Sequence, residues 1–318
     1  MEWLWQHFAE CPITRNIILL VGVLYLLRLM VWLLLSLWSG TKAFFLAGLF
    51  KVDLKSYGWA VVTGASDGIG KEYAIQLAKR GVNVVLVARS VEKLRAVEKE
   101  ILDQSNVAVR IVIADFSRTD IYDGINSQLS GTEIGILINN VGVSLEHPDY
   151  FLSVSEERLW QLINVNMSST VMMTKMVMPG MVERKKGIIV NVSSASALNP
   201  SPLLGVYAAT KIFMDYFSSA LRYEYSDKGI IVQSVLPFFV ATKLSGIRRS
   251  SFTAPNPKKY VCDALATIGV QSKTFGTLSH ALQAVPFSIL PDWLITKVTF
   301  RLLSNVRRAA IRRKQKKQ

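Results

Sequence analysis

Residues 59–70, with the sequence WAVVTGASDGIG, constrain the fold more than any other part of the chain. A short apolar run of strand character leads into a glycine-rich loop, and helical periodicity follows the loop. Gly64 permits a sharp turn, Gly68 permits a close approach to the backbone, and Gly70 permits tight packing of helix on strand. The first amides of such a helix attract anions. The unit therefore predicts an α/β fold with an anion-binding loop, although an ordinary strand–helix turn shows the same pattern.

Segments of strand and helix pattern alternate after this loop. The sequence predicts strands at 82–88, 108–114, 134–138 and 188–192, and helices at 91–104, 120–129, 159–181 and around 207–211. Strands alternating with helices connect by right-handed crossovers and form a parallel sheet with helices on both faces. We therefore predict a doubly wound α/β domain whose ligands bind beyond the carboxyl ends of the strands. Asp115, Asn140 and Gly142 follow predicted strands, either as turn formers or as contacts to a nucleotide.

Tyr207 and Lys211 lie one helical turn apart, after a strand that ends near Ser194. A spacing of four residues places the two side chains on one face of a helix. An ammonium group about 4–5 Å from a phenol favours the phenolate and would bring the tyrosine pKa toward 7–8. Such a tyrosine exchanges a proton with an alcohol or ketone, and Ser194 would hold the same oxygen by a hydrogen bond. Because chance alone gives about 0.6 such pairs in this composition, the prediction depends on the strand–helix junction around the pair.

A predicted strand ends at Ala88, about twenty residues after the glycine loop, and Arg89 follows it. An NAD-binding domain carries an acid here for the ribose hydroxyls, whereas an arginine accommodates a 2′-phosphate. The sequence therefore favours NADP(H), with a solvated surface charge as the alternative explanation of Arg89.

Together these motifs resemble those of the short-chain dehydrogenase/reductase family over about residues 59–242. The resemblance implies a Rossmann-type fold and an NADP-dependent oxidoreductase acting on alcohol and carbonyl groups. It implies that Tyr207 is the proton donor and that Ser194 stabilises the substrate oxygen. Lys211 would lower the tyrosine pKa and bind the nicotinamide ribose. Asn166, which on spacing alone suggests a helix–helix hydrogen bond, would hold a water molecule in the proton relay.

Residues 237–242, PFFVAT, resemble the family's P-G-x-V-x-T segment, whose threonine contacts the nicotinamide carboxamide. Phe238 stands in place of the family's glycine. The resemblance and the loop pattern together imply these cofactor-binding residues: Gly64, Ser66, Asp67, Gly68, Ile69, Gly70, Arg89, Asp115, Asn140, Gly142, Tyr207, Lys211, Pro237, Val240 and Thr242.

A narrower resemblance, in residues 133–137, 236–243 and 271–274, is to the 3-oxoacyl-CoA reductases of the endoplasmic reticulum, also described as 17β-hydroxysteroid dehydrogenases. It implies NADPH-dependent reduction of long- or very-long-chain 3-oxoacyl-CoA to 3-hydroxyacyl-CoA in fatty-acid elongation. A 17-ketosteroid reductase is the alternative, because a testosterone-forming relative shares features at residues 77–85 and 114–116. A non-catalytic NADP(H)-binding membrane scaffold is a third interpretation. The sequence leaves open whether the protein forms a homo-oligomer and whether it contacts other elongation-cycle enzymes.

Residues 17–38 are an apolar run of 22 residues with ten leucines and one charge, Arg28. As a helix the run would extend about 33 Å, enough for a hydrocarbon core of about 30 Å. We predict an uncleaved membrane anchor, with a signal peptide or a buried core helix as the alternatives. The lysines after the run favour a cytosolic catalytic domain in the endoplasmic-reticulum membrane, although Arg15 precedes it. The anchor is expected to bring the substrate pocket beside the bilayer.

The predicted organisation is an anchor and linker over residues 1–55, an NADP-binding domain over 56–290 with a substrate loop at 243–275, and a membrane-associated helix with a basic tail over 291–318. Leu294, Val298, Leu302 and Val306 form an i, i+4 stripe flanked by cations, which suggests a helix lying on a membrane. The last five residues, KQKKQ, resemble a lysine-based retrieval signal for the endoplasmic reticulum, with a solvated tail as the alternative.

The net charge of +14 is concentrated in this tail, since the first 292 residues carry only +5. A basic tail suits an anionic membrane surface, and no nucleic-acid-binding motif accompanies it, so nucleic acid is not an expected partner. Residues 228–262 carry six basic residues and no acid, and would bind coenzyme A phosphates, lie near lipid or simply be solvated. Two distant cysteines and three scattered histidines predict neither a disulfide framework nor a metal site.

Overall fold

A parallel seven-stranded sheet forms the centre of the molecule, in a computed structural model that describes residues 12–44, 46, 49 and 52–316. The strand order is β3-β2-β1-β4-β5-β6-β7. The order reverses between β1 and β4, where a parallel sheet opens a crevice beyond its carboxyl ends. The strands are β1 (Trp59–Thr63), β2 (Asn83–Ala88), β3 (Val109–Ile113), β4 (Ile134–Asn139), β5 (Gly187–Val192), β6 (Ile230–Val235) and β7 (Lys273–Thr274).

Helices cover both faces of the sheet, as the sequence predicts. In chain order they are α1 (Pro12–Phe44), α2 (Gly68–Ala78), α3 (Val91–Leu102), α4 (Tyr122–Leu129), α5 (Glu156–Ile163), α6 (Ser169–Glu183), α7 (Gly205–Tyr225), α8 (Pro257–Ala266), α9 (Leu278–Ile289) and α10 (Asp292–Gln315). One core lies between the sheet and α2, α3 and α8, and the other between the sheet and α4, α6 and α7. Ala60 and Val62 of β1 join the first core and Val61 the second, as the two-residue period of a strand requires.

The helix predicted over residues 159–181 is present, in a helical stretch that begins at Glu156 and ends at Glu183, but it is not a regular α-helix throughout. A π-helical turn, Asn164–Ser168, separates α5 from α6. Such a turn inserts one residue into the helical path and shifts the faces before and after it, a feature frequent at functional sites. Apolar periodicity does not reveal the insertion, because buried residues continue on both sides of it.

Helix α1 is long and apolar enough between residues 12 and 42 to cross a membrane, with a mean hydropathy of 2.6, and none of its most apolar window is buried in protein. The side-chain amide of Gln271 donates to the Ser39 hydroxyl at 3.1 Å. Gln271 precedes β7, so the end of α1 meets the amino edge of the sheet. The crevice lies at the opposite, carboxyl edge. The expectation that the anchor brings the pocket beside the bilayer stays a prediction.

Helix α10 packs on the domain by three polar contacts spread along its length. Asn199 donates to Asp292 at 3.2 Å, Arg307 pairs with Asp149 at 2.7 Å, and Lys314 pairs with Glu146 at 3.0 Å. Ile295 is its buried residue. Val298, Leu302 and Val306 of the predicted stripe are exposed. The helix therefore has one side on the protein, while these three apolar side chains stay accessible from outside.

Candidate active site

The glycine loop between β1 and α2 leaves no room for side chains at its closest approaches. A Cβ on Gly70 would lie 2.3 Å from both the Gly64 carbonyl oxygen and the Asn140 side-chain nitrogen. Gly64 has a φ of +68°, in the left-handed region that favours glycine. Asp67 caps α2 by accepting from the Gly68 amide at 2.8 Å. The loop brings backbone amides of the α2 N-terminus to the crevice, which fits the pyrophosphate of a dinucleotide.

Asn140 and Thr63 join the glycine loop to the end of β4. The Asn140 side chain donates to the Thr63 carbonyl at 3.0 Å, and the Asn140 amide donates to the Thr63 hydroxyl, also at 3.0 Å. These bonds tie β1 to β4 at the point where the strand order reverses. Asn140, predicted as a turn former or a nucleotide contact, therefore fixes the shape of the loop.

Ser194, Tyr207 and Lys211 converge at the carboxyl end of β5. Ser194 donates a hydrogen bond to the Tyr207 hydroxyl. The Lys211 ammonium lies 5.9 Å from the centre of the Tyr207 ring and donates to the Val192 carbonyl at 3.1 Å. Gly142 lies beside this group, because a Cβ there would be 3.2 Å from the lysine nitrogen. The predicted catalytic side chains thus share one location.

The predicted direction of the Tyr207 pKa is wrong in this structure. Burial raises the pKa of Tyr207 above its ordinary value, and the hydrogen bond from Ser194 only opposes this rise. The Lys211 ammonium, 5.9 Å from the ring centre, does not offset this rise. Desolvation therefore outweighs the ammonium, and Tyr207 keeps its proton at neutral pH.

Lys211 is buried at a cost to stability that depends on pH. Burial lowers the pKa of Lys211 to about 8, whereas an exposed lysine titrates near 10.4. The unfolded chain holds this proton more tightly, so the cost is full below pH 8 and disappears as the pH rises toward about 10. We expect Lys211→Met to raise the free energy of unfolding at pH 7 by on the order of 2–3 kcal/mol while abolishing any turnover.

Chemical denaturation at pH 7 and pH 10 measures this effect, which should shrink at the higher pH. Lys175→Met is the matched control, because Lys175 is exposed on α6 and should show no such dependence. A destabilised Lys211→Met at pH 7 would contradict the prediction.

Asn166 lies in the π-helical turn and is completely buried. Its side-chain oxygen accepts from the Val143 amide at 2.8 Å, and its nitrogen donates to the Val143 carbonyl at 2.9 Å and to the Thr210 hydroxyl at 3.0 Å. Asn166 thus ties the loop after β4 to α7, the helix that carries Tyr207. The proposed role in a proton relay stays a prediction.

One cavity of about 690 Å³ joins the glycine loop, the catalytic group and the C-terminal helices. Every cofactor-binding residue predicted from the sequence lines it except Gly70, which packs behind the loop, and Ser194 lines it as well. Asp115 also forms a turn, since its carboxylate accepts from the Ser117 amide and hydroxyl at 3.1 and 2.9 Å. Arg89 is exposed at the end of β2, with Lys93 beside it in the lining.

Several lining residues were missed by the sequence analysis. Helix α10 forms part of the cavity wall through Thr299, Leu302, Leu303 and Val306. Its apolar stripe, by contrast, predicts only a lipid-facing helix. Lys243 pairs with Asp67 at 2.9 Å and so links the substrate loop to the glycine loop. The Ser193 hydroxyl donates to the Lys211 carbonyl at 2.6 Å, which fixes the start of α7 against β5. Among these residues, only the i, i+4 spacing of Leu302 and Val306 is a sequence signal that points to a wall residue.

The six basic residues of 228–262 do not form one cluster. Lys228 precedes β6 and stacks on Tyr225 at the amino edge, far from the crevice. Lys243 is paired with Asp67, and Lys259 pairs with Asp263 at 2.8 Å. Arg248, Arg249 and Lys258 are exposed within the predicted substrate loop. Their role toward coenzyme A or lipid stays open.

Curated relatives match most of the chain. A "Very-long-chain 3-oxoacyl-CoA reductase" of Anas platyrhynchos is 49% identical over 261 residues, covering 81% of this chain and 84% of that protein. An "Inactive hydroxysteroid dehydrogenase-like protein 1" of Homo sapiens is 44% identical over 300 residues, covering 92% of this chain and 91% of that protein. The chain is thus similar both to named enzymes and to a protein named as inactive.

A solved short-chain dehydrogenase from Sphingobium yanoikuyae, in complex with NADPH, is 31% identical to this chain. It superposes with a TM-score of 0.63, covering 74% of this chain and 96% of that one. The family model for short chain dehydrogenases matches residues 58–251, which include the glycine loop, Ser194, Tyr207 and Lys211. The chain belongs to the short-chain dehydrogenase family.

Proposed function

We propose that this protein reduces the 3-keto group of long- or very-long-chain 3-oxoacyl-CoA to the 3-hydroxyacyl-CoA with NADPH, in fatty-acid elongation. The observation that carries the proposal is the single cavity, which runs from the glycine loop past Tyr207 to an apolar wall. The names of the reductases that resemble this chain support the choice of substrate. A 17-ketosteroid reductase, converting estrone to estradiol or androstenedione to testosterone, is the alternative within the same chemistry.

The residues of the crevice fit an NADP(H) molecule. The glycine loop and the α2 N-terminus would hold the pyrophosphate, and Arg89 with Lys93 would hold the 2′-phosphate. Lys211 would hold the nicotinamide ribose, and Thr242 the carboxamide. When bound, the nicotinamide supplies the hydride for the carbonyl carbon. The structure of a relative with NADPH supports this choice of cofactor.

Ser194 and Tyr207 provide the proton and orient the substrate. The two hydroxyls lie side by side, so a keto oxygen that replaces their mutual hydrogen bond would accept a hydrogen bond from each. The raised pKa of Tyr207 keeps the phenol protonated at neutral pH, which is the form needed to give a proton to the oxygen. The Lys211 ammonium, 5.9 Å from the ring centre, then stabilises the tyrosinate that remains.

An apolar wall beyond the catalytic group suits an acyl chain. Side chains from the segment after β6, from α9 and from α10 line it: Phe239, Leu244, Phe287, Leu302, Leu303 and Val306. The ion pairs Arg307–Asp149 and Lys314–Glu146 hold α10 in place. Each buried methylene contributes about 0.8 kcal/mol, so this wall would favour long chains.

Replacing Leu303 by tryptophan should shorten the space for the chain. We expect KM for 3-oxohexadecanoyl-CoA to rise by roughly tenfold or more, because several methylenes lose their contacts. KM for the short 3-oxobutyryl-CoA should stay unchanged. Val298→Trp is the control, since Val298 is exposed on the same helix and does not line the cavity. Equal changes for both chain lengths would contradict the assignment of the wall.

Turnover by the full-length wild type with NADPH decides between the candidate functions. Reduction of 3-oxohexadecanoyl-CoA supports the proposal, and reduction of estrone alone supports the steroid alternative. A non-catalytic NADP(H)-binding protein is the second candidate, favoured by the similarity over 92% of the chain to a protein named as inactive. Cofactor binding without oxidation of NADPH by either substrate would support it. The Ser194, Tyr207 and Lys211 group argues for catalysis.

We place the protein in the endoplasmic-reticulum membrane with its catalytic domain in the cytosol. Helix α1 supports the anchor, and the reductases that resemble this chain support the lipid pathway. The proposed retrieval signal begins at the end of α10, where Lys314 pairs with Glu146, and its last two residues lie outside the described part. Leu302 and Val306 of the α10 stripe line the cavity, so it is Val298, exposed and outside the cavity lining, that is proposed to touch the membrane surface. Contacts with other elongation enzymes stay a hypothesis.

Removal of residues 1–41 should convert the protein from an integral to a peripheral one. The full-length protein should resist carbonate extraction, because an apolar helix of this length partitions into the bilayer. The truncated protein should be extracted by carbonate, while its catalytic domain stays accessible to cytosolic protease. Extraction of the full-length chain by carbonate would contradict the anchor.

A further inference from the structure

His280 in α9 is completely buried and bonds to two consecutive residues of the segment after β6. Its Nδ1 accepts from the Phe238 amide at 3.3 Å, and its Nε2 lies 3.2 Å from the Phe239 carbonyl oxygen. Because an amide N–H only donates, Nδ1 carries no proton and Nε2–H donates to Phe239. A single neutral tautomer of the imidazole therefore satisfies both backbone groups.

Aromatic rings and a helix cap pack closely around the His280 ring. The Tyr260 ring lies 5.3 Å and the Phe238 ring 5.7 Å from it, centre to centre. Thr277 caps α9 by accepting from the His280 amide at 3.3 Å. A Cβ on Gly276 would come within 2.7 Å of the Tyr260 ring, so this turn is packed tightly as well. Burial lowers the pKa of His280, and nearby backbone carbonyls only oppose that effect, which keeps the imidazole neutral.

The segment held by His280 connects the catalytic group to the glycine loop. Its start is tied to the catalytic end, since the Ala195 amide donates to the Pro237 carbonyl at 2.8 Å. Its end meets the loop, where the Thr242 methyl lies 3.3 Å from the position of a Cβ on Gly68. Between these points Phe238 and Phe239 line the cavity. The backbone of this segment thus borders the space between Tyr207 and the glycine loop.

Phe238 replaces a glycine of the family pattern, and its ring packs among aromatic side chains. The ring centres of Phe275, His280 and Phe287 lie 6.2, 5.7 and 5.8 Å from it. This position is therefore held by side-chain packing and by two hydrogen bonds between the backbone and one histidine. The hydrogen bonds act on the backbone and the ring cluster acts on the side chain.

We infer that His280 is a positioning residue for the nicotinamide end of the cofactor, acting through the backbone of Phe238 and Phe239. This inference rests on the proposed use of NADP(H) as the cofactor. His280 touches neither Ser194 nor Tyr207 in the structure, and it does not line the cavity. Its effect is to hold the backbone of Phe238 and Phe239 in place, where these residues line the cavity between Tyr207 and the glycine loop.

Binding of two probes to the purified protein tests this inference without requiring turnover. NADP+ carries both ends of the cofactor, whereas adenosine 2′,5′-bisphosphate carries only the adenosine end with its 2′-phosphate. His280→Leu removes both hydrogen bonds and leaves the Phe238 amide and the Phe239 carbonyl without their partner. We expect its Kd for NADP+ to rise by roughly 5- to 100-fold, while its Kd for adenosine 2′,5′-bisphosphate stays unchanged.

Two conservative variants separate the hydrogen bonds and keep the test valid if His280→Leu does not fold. His280→Asn retains an acceptor for the Phe238 amide, and His280→Gln retains a donor for the Phe239 carbonyl, so each should show a smaller rise. Gln283→Leu is the control, because Gln283 lies on the same helix as His280 and bonds to the Ser279 and Thr253 carbonyls but not to Phe238 or Phe239.

Equal weakening of both probes in the His280 variants, or no change in either, would overturn the inference. So would a matching loss in Gln283→Leu. Failure of the wild type to bind either probe would overturn the proposed cofactor and this inference with it. Wild-type binding with an unchanged ratio of the two Kd values in the variants would overturn only the inference.

Discussion

Tyr207→Phe is expected to lower kcat by roughly 10²- to 10⁴-fold, because it removes the proton donor and leaves the ring in place. The Tyr207 hydroxyl is hydrogen-bonded to Ser194, and the phenyl ring still fills the same space beside Lys211. NADPH binding should therefore be nearly unchanged. Turnover of 3-oxohexadecanoyl-CoA and NADPH affinity, measured on the same preparation, separate the loss of chemistry from a loss of structure.

Tyr216→Phe is the matched control for this prediction. Tyr216 lies on the same helix, α7, but is 69% exposed and does not line the cavity. It should retain wild-type turnover. Near-normal turnover by Tyr207→Phe would eliminate Tyr207 as the proton donor and would favour a different source of the proton.

Ala88→Asp combined with Arg89→Ala should shift cofactor preference toward NADH. A guanidinium–phosphate contact contributes about 1.5–3 kcal/mol, which corresponds to roughly ten- to hundred-fold in the ratio of NADPH to NADH affinity. The introduced carboxylate at the end of β2 would repel a 2′-phosphate and accept hydrogen bonds from ribose hydroxyls. The measurement is the ratio of kcat/KM for the two cofactors.

Lys93 sets a limit to this shift, because it lines the cavity beside Arg89 and would keep part of the attraction for the phosphate. The triple variant with Lys93→Ala should therefore move the ratio further. Arg95→Ala serves as the control, since Arg95 is exposed on α3 and outside the cavity lining. A wild type that uses NADH as well as NADPH would show that Arg89 does not select the cofactor.

Short-range patterns in the sequence were enough to predict the doubly wound sheet. Strand and helix periods depend on neighbouring residues, and a strand that alternates its side chains must bury both sets in this fold. The glycine loop could be placed for the same reason, since Gly64 needs a left-handed φ and Gly70 has no space for a Cβ. Tyr207 and Lys211 share a helix face by spacing alone.

Other features of the structure depend on packing between residues that are far apart in the sequence. The π-helical turn at Asn164–Ser168 has no periodic signature, so the apolar pattern predicts a regular α-helix across it. The apolar stripe of α10 indicates a membrane-associated helix. The contacts of α10 with Asp149 and Glu146 could not be predicted, because they join residues that are 158 and 168 positions apart. His280 and Phe238 are 42 positions apart, and no local pattern links them.

Electrostatics depended most strongly on the tertiary structure. The sequence alone determined that a tyrosine and a lysine lie one turn apart at a strand–helix junction, together with the order of strands and helices around them. Only the tertiary structure decided that burial raises the Tyr207 pKa and lowers that of Lys211 to about 8. The physical reason is that spacing along a helix sets the distance between two charges, whereas desolvation depends on every element packed around them.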